Sequence, residues 1–168
     1  MTDSAVVAFY RGQPDNLGRT WDEILAQDDE WLECRHDFIQ WLFPLATPSR
    51  ANLSAPLLGP ADIDAFRTDP LLRRKLLLSL DRMLRFYGLK RTDGGIAKDA
   101  AWGQRKKNWF VRPTHNNLRI TRVLKSLAVL GGESEAGQFL AALRKLVRAE
   151  PDAGVGADAL EYWEGALR

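Results

Sequence analysis

The chain has 168 residues, a single cysteine and a formal net charge of +2. One cysteine excludes an internal disulfide framework and a multi-cysteine metal site, and the length suits one domain over residues 1–168. No apolar stretch approaches the roughly 20 residues that cross a bilayer, and the N-terminal segment, with Asp3 and a short apolar run, does not fit an export signal. We therefore expect a cytoplasmic location.

Charge is distributed unevenly along the chain. Residues 1–69 hold 5 Lys and Arg against 12 Asp and Glu, residues 70–131 hold 15 against 3, and residues 132–168 hold 4 against 7. Two interpretations stay open. Acidic outer helices neutralise a basic middle, or part of the basic surface is free for an anionic partner.

Capping and proline signals predict the helices of the first half. The pair Thr20 and Glu23 has the capping-box spacing that starts a short helix. A helix is then predicted over residues 28–43, because Pro44 ends it. An ordered loop follows over residues 45–59, and a short helix runs from Pro60 to Phe66.

Leucine periodicity predicts the longer helices that follow. Asp69 and Pro70 form a cap and first turn for a helix over residues 71–87 that Gly88 ends. Residues 97–111 are predicted as one helix weakened by Gly103, and no strand alternation is recognised. Two further helices are expected over residues 135–150 and from about residue 157 to the C-terminus.

The segment of residues 115–131 is predicted to be the central helix of the fold. Its apolar stripe comprises Ile120, Val123, Leu124, Leu127 and Leu130. Leu118 and Val129 fall on nearly the opposite side, so we expect neighbouring elements to cover this helix on two sides. The sequence therefore predicts an all-α, single-domain, multi-helix bundle around a buried central helix.

A polar track, His115, Arg119, Arg122 and Ser126, follows one face of this central helix at spacings of four, three and four. Free backbone amides and the positive end of the helix dipole lie at its start. Such a cluster can bind a carboxylate or phosphate through guanidinium contacts. The candidate ligand-binding residues here are His115, Asn116, Asn117, Arg119, Arg122 and Arg112.

An internal explanation of the polar track is also open. A polar stripe on a buried helix must find partners. The acidic N-terminal helices offer them through residues such as Asp22, Glu30 or Asp37.

A second basic surface is suggested by residues 98–122, where aromatic and basic side chains interleave from Trp102 to Arg112. Such a pattern suits stacking and phosphate contacts with nucleic acid or a phospholigand, although tryptophans also fill helical cores. The candidate residues of this alternative surface are Lys98, Trp102, Arg105, Lys106, Lys107 and Trp109.

Catalytic and metal-binding patterns are missing from the sequence. His36 and His115 lack the acidic or histidine companion at helical spacing that a metal site needs. Cys34 and His36 diverge on a helix, and no phosphate-binding loop, dinucleotide glycine pattern or nucleophile elbow is present. We expect no metal, no cofactor and no enzymatic activity.

Three long motifs resemble one family. HDFIQWLFPL at residues 36–45, RMLRFYGL at 82–89 and HNNLRITRVLKSL at 115–127 are similar to the conserved domain of the opioid growth factor receptor family. The resemblance runs from about residue 9 to the C-terminus. It implies a non-enzymatic binding domain whose animal members bind the pentapeptide Met-enkephalin and regulate growth in the nucleus.

This resemblance implies a short peptide as partner. The peptide carboxylate would pair with Arg119 or Arg122, and aromatic side chains such as Trp41 would receive the peptide rings. From the residues alone, Gln40 and Trp41 can line a groove or simply end a helix in the core.

Overall fold

The computed structural model describes residues 2–168, which are mostly helical. A β-hairpin and two short 3₁₀ turns, at Lys106–Asn108 and Pro151–Ala153, interrupt the helices. In chain order the elements are α1 (Ala5–Tyr10), α2 (Trp21–Leu25), α3 (Asp29–Cys34), α4 (Ile39–Leu42), α5 (Pro60–Thr68), α6 (Pro70–Tyr87), β1 (Leu89–Thr92), β2 (Gly95–Lys98), α7 (Trp102–Arg105), α8 (His115–Val129), α9 (Glu133–Ala149) and α10 (Gly156–Gly165). The all-α prediction is confirmed, with the hairpin as an addition.

Local signals set several of the helix ends as predicted. The Thr20 hydroxyl accepts a hydrogen bond from the Glu23 amide at 3.2 Å, and the Glu23 carboxylate accepts one from the Thr20 amide at 2.8 Å. Asp69 caps α6 by accepting from the Leu71 amide at 2.9 Å. Gly88 ends α6 with a φ of 81°, a left-handed conformation that favours glycine.

The single helix predicted over residues 28–43 is wrong. The chain forms α3 and α4 with an extended break at Arg35, where ψ is 136°. Tertiary partners hold this break open, because the Arg35 carbonyl accepts a hydrogen bond from the Arg119 guanidinium and Asp37 binds Arg19 at 2.8 Å. Helix propensity over these residues is outweighed by bonds to other segments.

The helix predicted over residues 97–111 is also wrong. Residues 95–98 pair antiparallel with β1, with Leu89 opposite Lys98 and Thr92 opposite Gly95. The expectation that the chain contains no strands is therefore also wrong. The chain then turns at Asp99, whose carboxylate accepts from the Ala101 amide at 2.7 Å. Such short elements depend on packing against the rest of the fold.

Helix α8 packs against α9 and α10 through its apolar stripe, whose residues are fully buried. The Trp163 indole of α10 donates to the Asn117 carbonyl at 3.1 Å and so fixes the C-terminal helix on α8. Val129 packs against the core, but Leu118 is 71% exposed. The expectation that Leu118 would be covered is therefore wrong, and one edge of α8 is open.

A buried hydrogen-bond network ties the first helix to α4 and α6. The Tyr10 hydroxyl donates to the Leu42 carbonyl and contacts the Ser79 hydroxyl at 3.1 Å, and the Trp21 indole donates to Ser79 at 2.9 Å. This network holds the end of α4 against the core.

Among residues 2–168, none of the helices combines the length and apolarity needed to cross a bilayer.

Candidate functional site

An open cleft of about 420 Å³ lies along the uncovered edge of α8. The break between α3 and α4 and part of the loop after α4 form its other walls. We refer to it as the α8 cleft. Its lining residues are His36, Ile39, Gln40, Leu45, Pro48, Ser49, Arg50, Ala51, His115, Leu118, Arg119, Thr121, Arg122 and Lys125.

The polar track binds backbone carbonyls at the ends of α3 and α4. Arg119 donates to the Arg35 carbonyl, and its guanidinium carbon lies 5.3 Å from the Phe38 ring centroid. Arg122 donates to the carbonyl of Phe43 at 3.0 Å. The Ser126 hydroxyl donates to the Pro44 carbonyl at 2.8 Å. The track therefore satisfies helix-end acceptors, which have no partners within their own helices.

The two arginines of the track carry charge that the protein compensates poorly. Burial lowers the pKa of both guanidinium groups; for Arg119 the nearby Glu33 opposes this effect, whereas for Arg122 burial is the cause. Within residues 2–168 neither guanidinium forms an ion pair with a carboxylate. Arginine remains protonated in proteins, so both charges persist at the cleft.

Two further cations and no carboxylates complete the lining. Arg50 comes from the loop after α4, and Lys125 lies three residues beyond Arg122 on α8. No Asp or Glu is among the residues that line the cleft. Four cationic side chains, those of Arg50, Arg119, Arg122 and Lys125, therefore surround a space that is open to solvent.

The two histidines meet at one end of the cleft. The His36 and His115 rings are in edge contact, with centroids 4.9 Å apart, and His115 Nε2 lies 3.1 Å from Glu33 Oε1. Burial lowers the pKa of His115; the charges of Arg119 and His36 lower it further, while Glu33 opposes them. His115 is therefore predominantly neutral at neutral pH.

Glu33 is an acidic residue that contacts the start of α8, and it was not among the residues predicted from the sequence. The Asn116 amide donates to Glu33 Oε2 at 3.1 Å, alongside the contact with His115. Asp37, one of the internal partners predicted for the track, instead binds Arg19 at 2.8 Å. Glu33 lies near the end of α3, two residues before the break at Arg35.

Some predicted site residues lie outside the cleft. Trp41 packs in the core, with its ring centroid 5.3 Å from that of Phe9. Asn117 caps α8 by accepting from the Thr114 amide at 2.6 Å, and its neighbour Asn116 is fully buried. Arg112 is exposed but is not among the lining residues. From the predicted set, the cleft brings together His115, Arg119, Arg122 and Gln40.

The loop after α4 supplies lining residues that sequence reasoning did not find. Pro48, Ser49, Arg50 and Ala51 form one wall, and nothing in their local pattern indicates a site. Lys125 could have been predicted from the sequence, because it follows Arg122 by three residues and so lies on the same side of the helix.

Comparison with known proteins identifies the family. The chain matches the family model described as the Opioid growth factor receptor (OGFr) conserved region over residues 3–168. Human opioid growth factor receptor is 34% identical over 176 residues, covering 99% of this chain and 26% of the human protein. This chain belongs to the opioid growth factor receptor conserved-region family.

Other relatives agree with this membership. Mouse opioid growth factor receptor is 40% identical over 141 residues, covering 78% of this chain and 22% of the mouse protein. Mouse opioid growth factor receptor-like protein 1 is 38% identical over 141 residues, covering 79% of this chain and 30% of that protein. The chain thus spans about a quarter of the length of these family members. No solved structure matches it.

In this family member, the aromatic residues of the alternative basic surface are buried. Trp109 is fully buried and donates to the Tyr87 carbonyl at 2.9 Å, and Trp102 packs against it with ring centroids 5.9 Å apart. Neither indole offers an open face for stacking on a base.

The basic residues of that surface mostly have partners inside the protein. Arg105 donates to the Phe86 carbonyl at 2.7 Å, and Lys106 binds Glu150 at 2.9 Å. The Lys98 ammonium lies 5.2 Å from the centroid of the Trp102 ring, and Lys107 is exposed. The described part of this family member also holds no grouping of three or more His, Cys, Asp or Glu residues suited to a metal ion.

Proposed function

We propose that this chain is a non-enzymatic binding domain whose α8 cleft holds the C-terminal carboxylate of a short, opioid-like peptide. The name opioid growth factor receptor, carried by relatives at 34% and 40% identity, supports a peptide of this class. Arg119 and Arg122 are the groups that bind the carboxylate, and Arg50 and Lys125 add attraction from the rim.

One observation carries this proposal. Arg119 is only 4% exposed and Arg122 is half-buried, yet neither forms an ion pair with a carboxylate of residues 2–168, and both line an open cleft. A buried charge without a counter-ion is costly. A carboxylate from outside the chain removes that cost and binds through charge-assisted hydrogen bonds.

The test compares a pentapeptide, Met-enkephalin, with its C-terminal amide by isothermal titration calorimetry. Amidation removes the negative charge and leaves every side chain in place. We expect the amide to bind about 10- to 100-fold more weakly, the loss that follows from one hydrogen bond to a charged group. Equal affinity of acid and amide would show that the cleft does not bind the carboxylate.

A phospholigand is the second candidate, and the four cations of the cleft favour it. The dependence of affinity on salt concentration distinguishes a phospholigand from a peptide carboxylate. If a single-stranded oligonucleotide engages all four cations, affinity falls by roughly 50-fold between 50 and 200 mM salt. A single carboxylate gives a much shallower dependence. A short single-stranded oligonucleotide, titrated over the same salt range, is the probe.

We also propose a cytoplasmic location, supported by the free and exposed Cys34, since a free thiol suits a reducing compartment. Microscopy of the chain fused to a fluorescent protein tests this location, and a signal confined to another compartment would overturn it.

A further inference from the structure

The outward face of α6 carries apolar side chains that the fold leaves uncovered. The inward face of this helix is buried in the core through residues such as Leu72, Leu76 and Leu80. On the outward face, Leu71 is 52% exposed and Leu78 is 40% exposed. These two leucines lie seven residues apart, so they share one stripe of the helix at a separation of about 10 Å.

Cationic side chains interleave with these leucines. Arg74 is exposed and lies three residues after Leu71 and four before Leu78, which places it on the same stripe. The acidic residue of this stripe, Asp81, is already occupied, because its two carboxylate oxygens accept hydrogen bonds from Arg91 at 2.6 and 2.8 Å. The free charge on the stripe is therefore positive.

A groove of about 400 Å³ lies between this stripe and β1. We refer to it as the α6 groove. Its lining residues are Pro70, Arg73, Arg74, Leu77, Leu78 and Arg91, so it contains three arginines and no carboxylate. Within residues 2–168, neither Arg73 nor Arg74 forms an ion pair. The groove thus combines apolar side chains with positive charge that the protein does not neutralise.

The arrangement of these groups selects among possible occupants. The groove has no aromatic lining residue on which a nucleic-acid base could stack. A helix that lies on a membrane needs a continuous apolar face, but here Arg74 separates the two exposed leucines. A second copy of this chain, related by a two-fold axis, would bring the same arginines together. An acidic, partly apolar segment of another protein matches both the charge and the spacing.

We propose that the α6 groove docks an acidic amphipathic helix of a partner protein. Apolar side chains of that helix pack against Leu71, Leu77 and Leu78, and its carboxylates pair with Arg73 and Arg74. This surface goes beyond the proposed function, because no residue of the α6 groove lines the α8 cleft. The two sites can therefore be tested separately.

The probe is a fluorescein-labelled helical peptide made of three repeats of EELLEAL, used at nanomolar concentration and titrated with the chain. Fluorescence anisotropy measures its affinity. The comparison peptide has glutamine in place of every glutamate, so it keeps the apolar face and loses the negative charge. We expect the acidic peptide to bind at least about 10-fold more tightly, as two or more ion pairs at the groove would provide.

Two variants locate this binding on the α6 groove. We expect Arg74→Glu to weaken binding of the acidic peptide by about 10-fold or more, because it replaces attraction with repulsion. The expected loss for Leu78→Gln is about 5-fold, since only the exposed part of this side chain remains to be buried by a partner.

Matched controls make the same changes elsewhere on the surface. Arg148 of α9 is exposed, has no ion pair in the described chain and does not line the groove. Leu53 is 90% exposed and also lies outside the groove. We expect Arg148→Glu and Leu53→Gln to change the affinity by less than about 2-fold. Circular dichroism checks that each variant is folded.

Several outcomes would overturn the proposal. Absence of binding by the acidic peptide, equal affinity of the glutamate and glutamine peptides, or equal losses in Arg74→Glu and Arg148→Glu would each exclude the α6 groove as a docking site for acidic helices. Sedimentation with vesicles of phosphatidylserine and phosphatidylcholine supplies a further test. Vesicle binding that Arg74→Glu abolishes would assign the groove to a membrane surface instead of a protein partner.

Discussion

Arg122 and Ser126 lie one turn apart on α8 and donate to consecutive carbonyls, those of Phe43 and Pro44. We predict that Ser126 contributes to the stability of the fold, whereas Arg122 contributes to peptide binding. Ser126→Ala lowers the free energy of unfolding and leaves peptide binding unchanged. Arg122→Met leaves stability nearly unchanged and weakens peptide binding.

The magnitudes follow from burial. The bond from Ser126 to Pro44 is buried, so its loss leaves an unpaired carbonyl that costs about 1–3 kcal/mol. In a domain of this size that is a decrease in Tm of about 3–10 °C. The bond from Arg122 to Phe43 is only part-buried, and water can replace the donor. Removing the poorly compensated charge offsets the rest, so stability changes by about 1 kcal/mol or less.

Urea denaturation followed by circular dichroism measures both stabilities, and calorimetry with the free acid of Met-enkephalin measures binding. We expect Arg122→Met to weaken binding by about 10- to 100-fold, and Ser126→Ala to change it by less than about 2-fold. A large loss of stability in Arg122→Met with full affinity would refute the reasoning, because it would make the arginine a structural group only.

Three further predictions concern stability. Burial holds the pKa of His115 below its usual value of 6.5, so the unfolded chain binds this proton first as pH falls. The free energy of unfolding therefore decreases below about pH 6.5. We expect His115→Gln to reduce this pH dependence, as measured by urea denaturation at pH 7.5 and 5.5. Gly88→Ala should lower the free energy of unfolding by about 2 kcal/mol or more, since φ is 81° and the new Cβ would lie 2.8 Å from Trp102 Cα. Gly137→Ala, on an open helix face, should raise it by about 0.5–1 kcal/mol. Thermal denaturation that ranks the two variants in the opposite order would contradict both expectations. Thr20→Ala should lower stability by about 1 kcal/mol through loss of the capping box, and an unchanged Tm would show that the cap is dispensable.

Much of the helical framework followed from local signals in the sequence. The cap at Asp69, the stop at Gly88 and the leucine spacing between them predicted α6 to within one residue at its start. These signals are sufficient because a helix of 18 residues is stabilised along its own length and along one continuous apolar face. The hairpin and α7 were predicted wrongly, because a four-residue helix or a two-stranded hairpin without such local signals is stable only where the fold supports it.

By itself the sequence determined the polar track, since the spacing of His115, Arg119 and Arg122 places them on one face of any helix they join. It did not determine their partners. Only the tertiary structure decided that the arginines bind carbonyls of the chain leaving α3 and α4, that Trp41 lies in the core, and that a loop distant in sequence closes one wall of the cleft. The physical reason is that helical periodicity acts within about two turns, whereas a cleft is made by segments that meet only when the whole core packs.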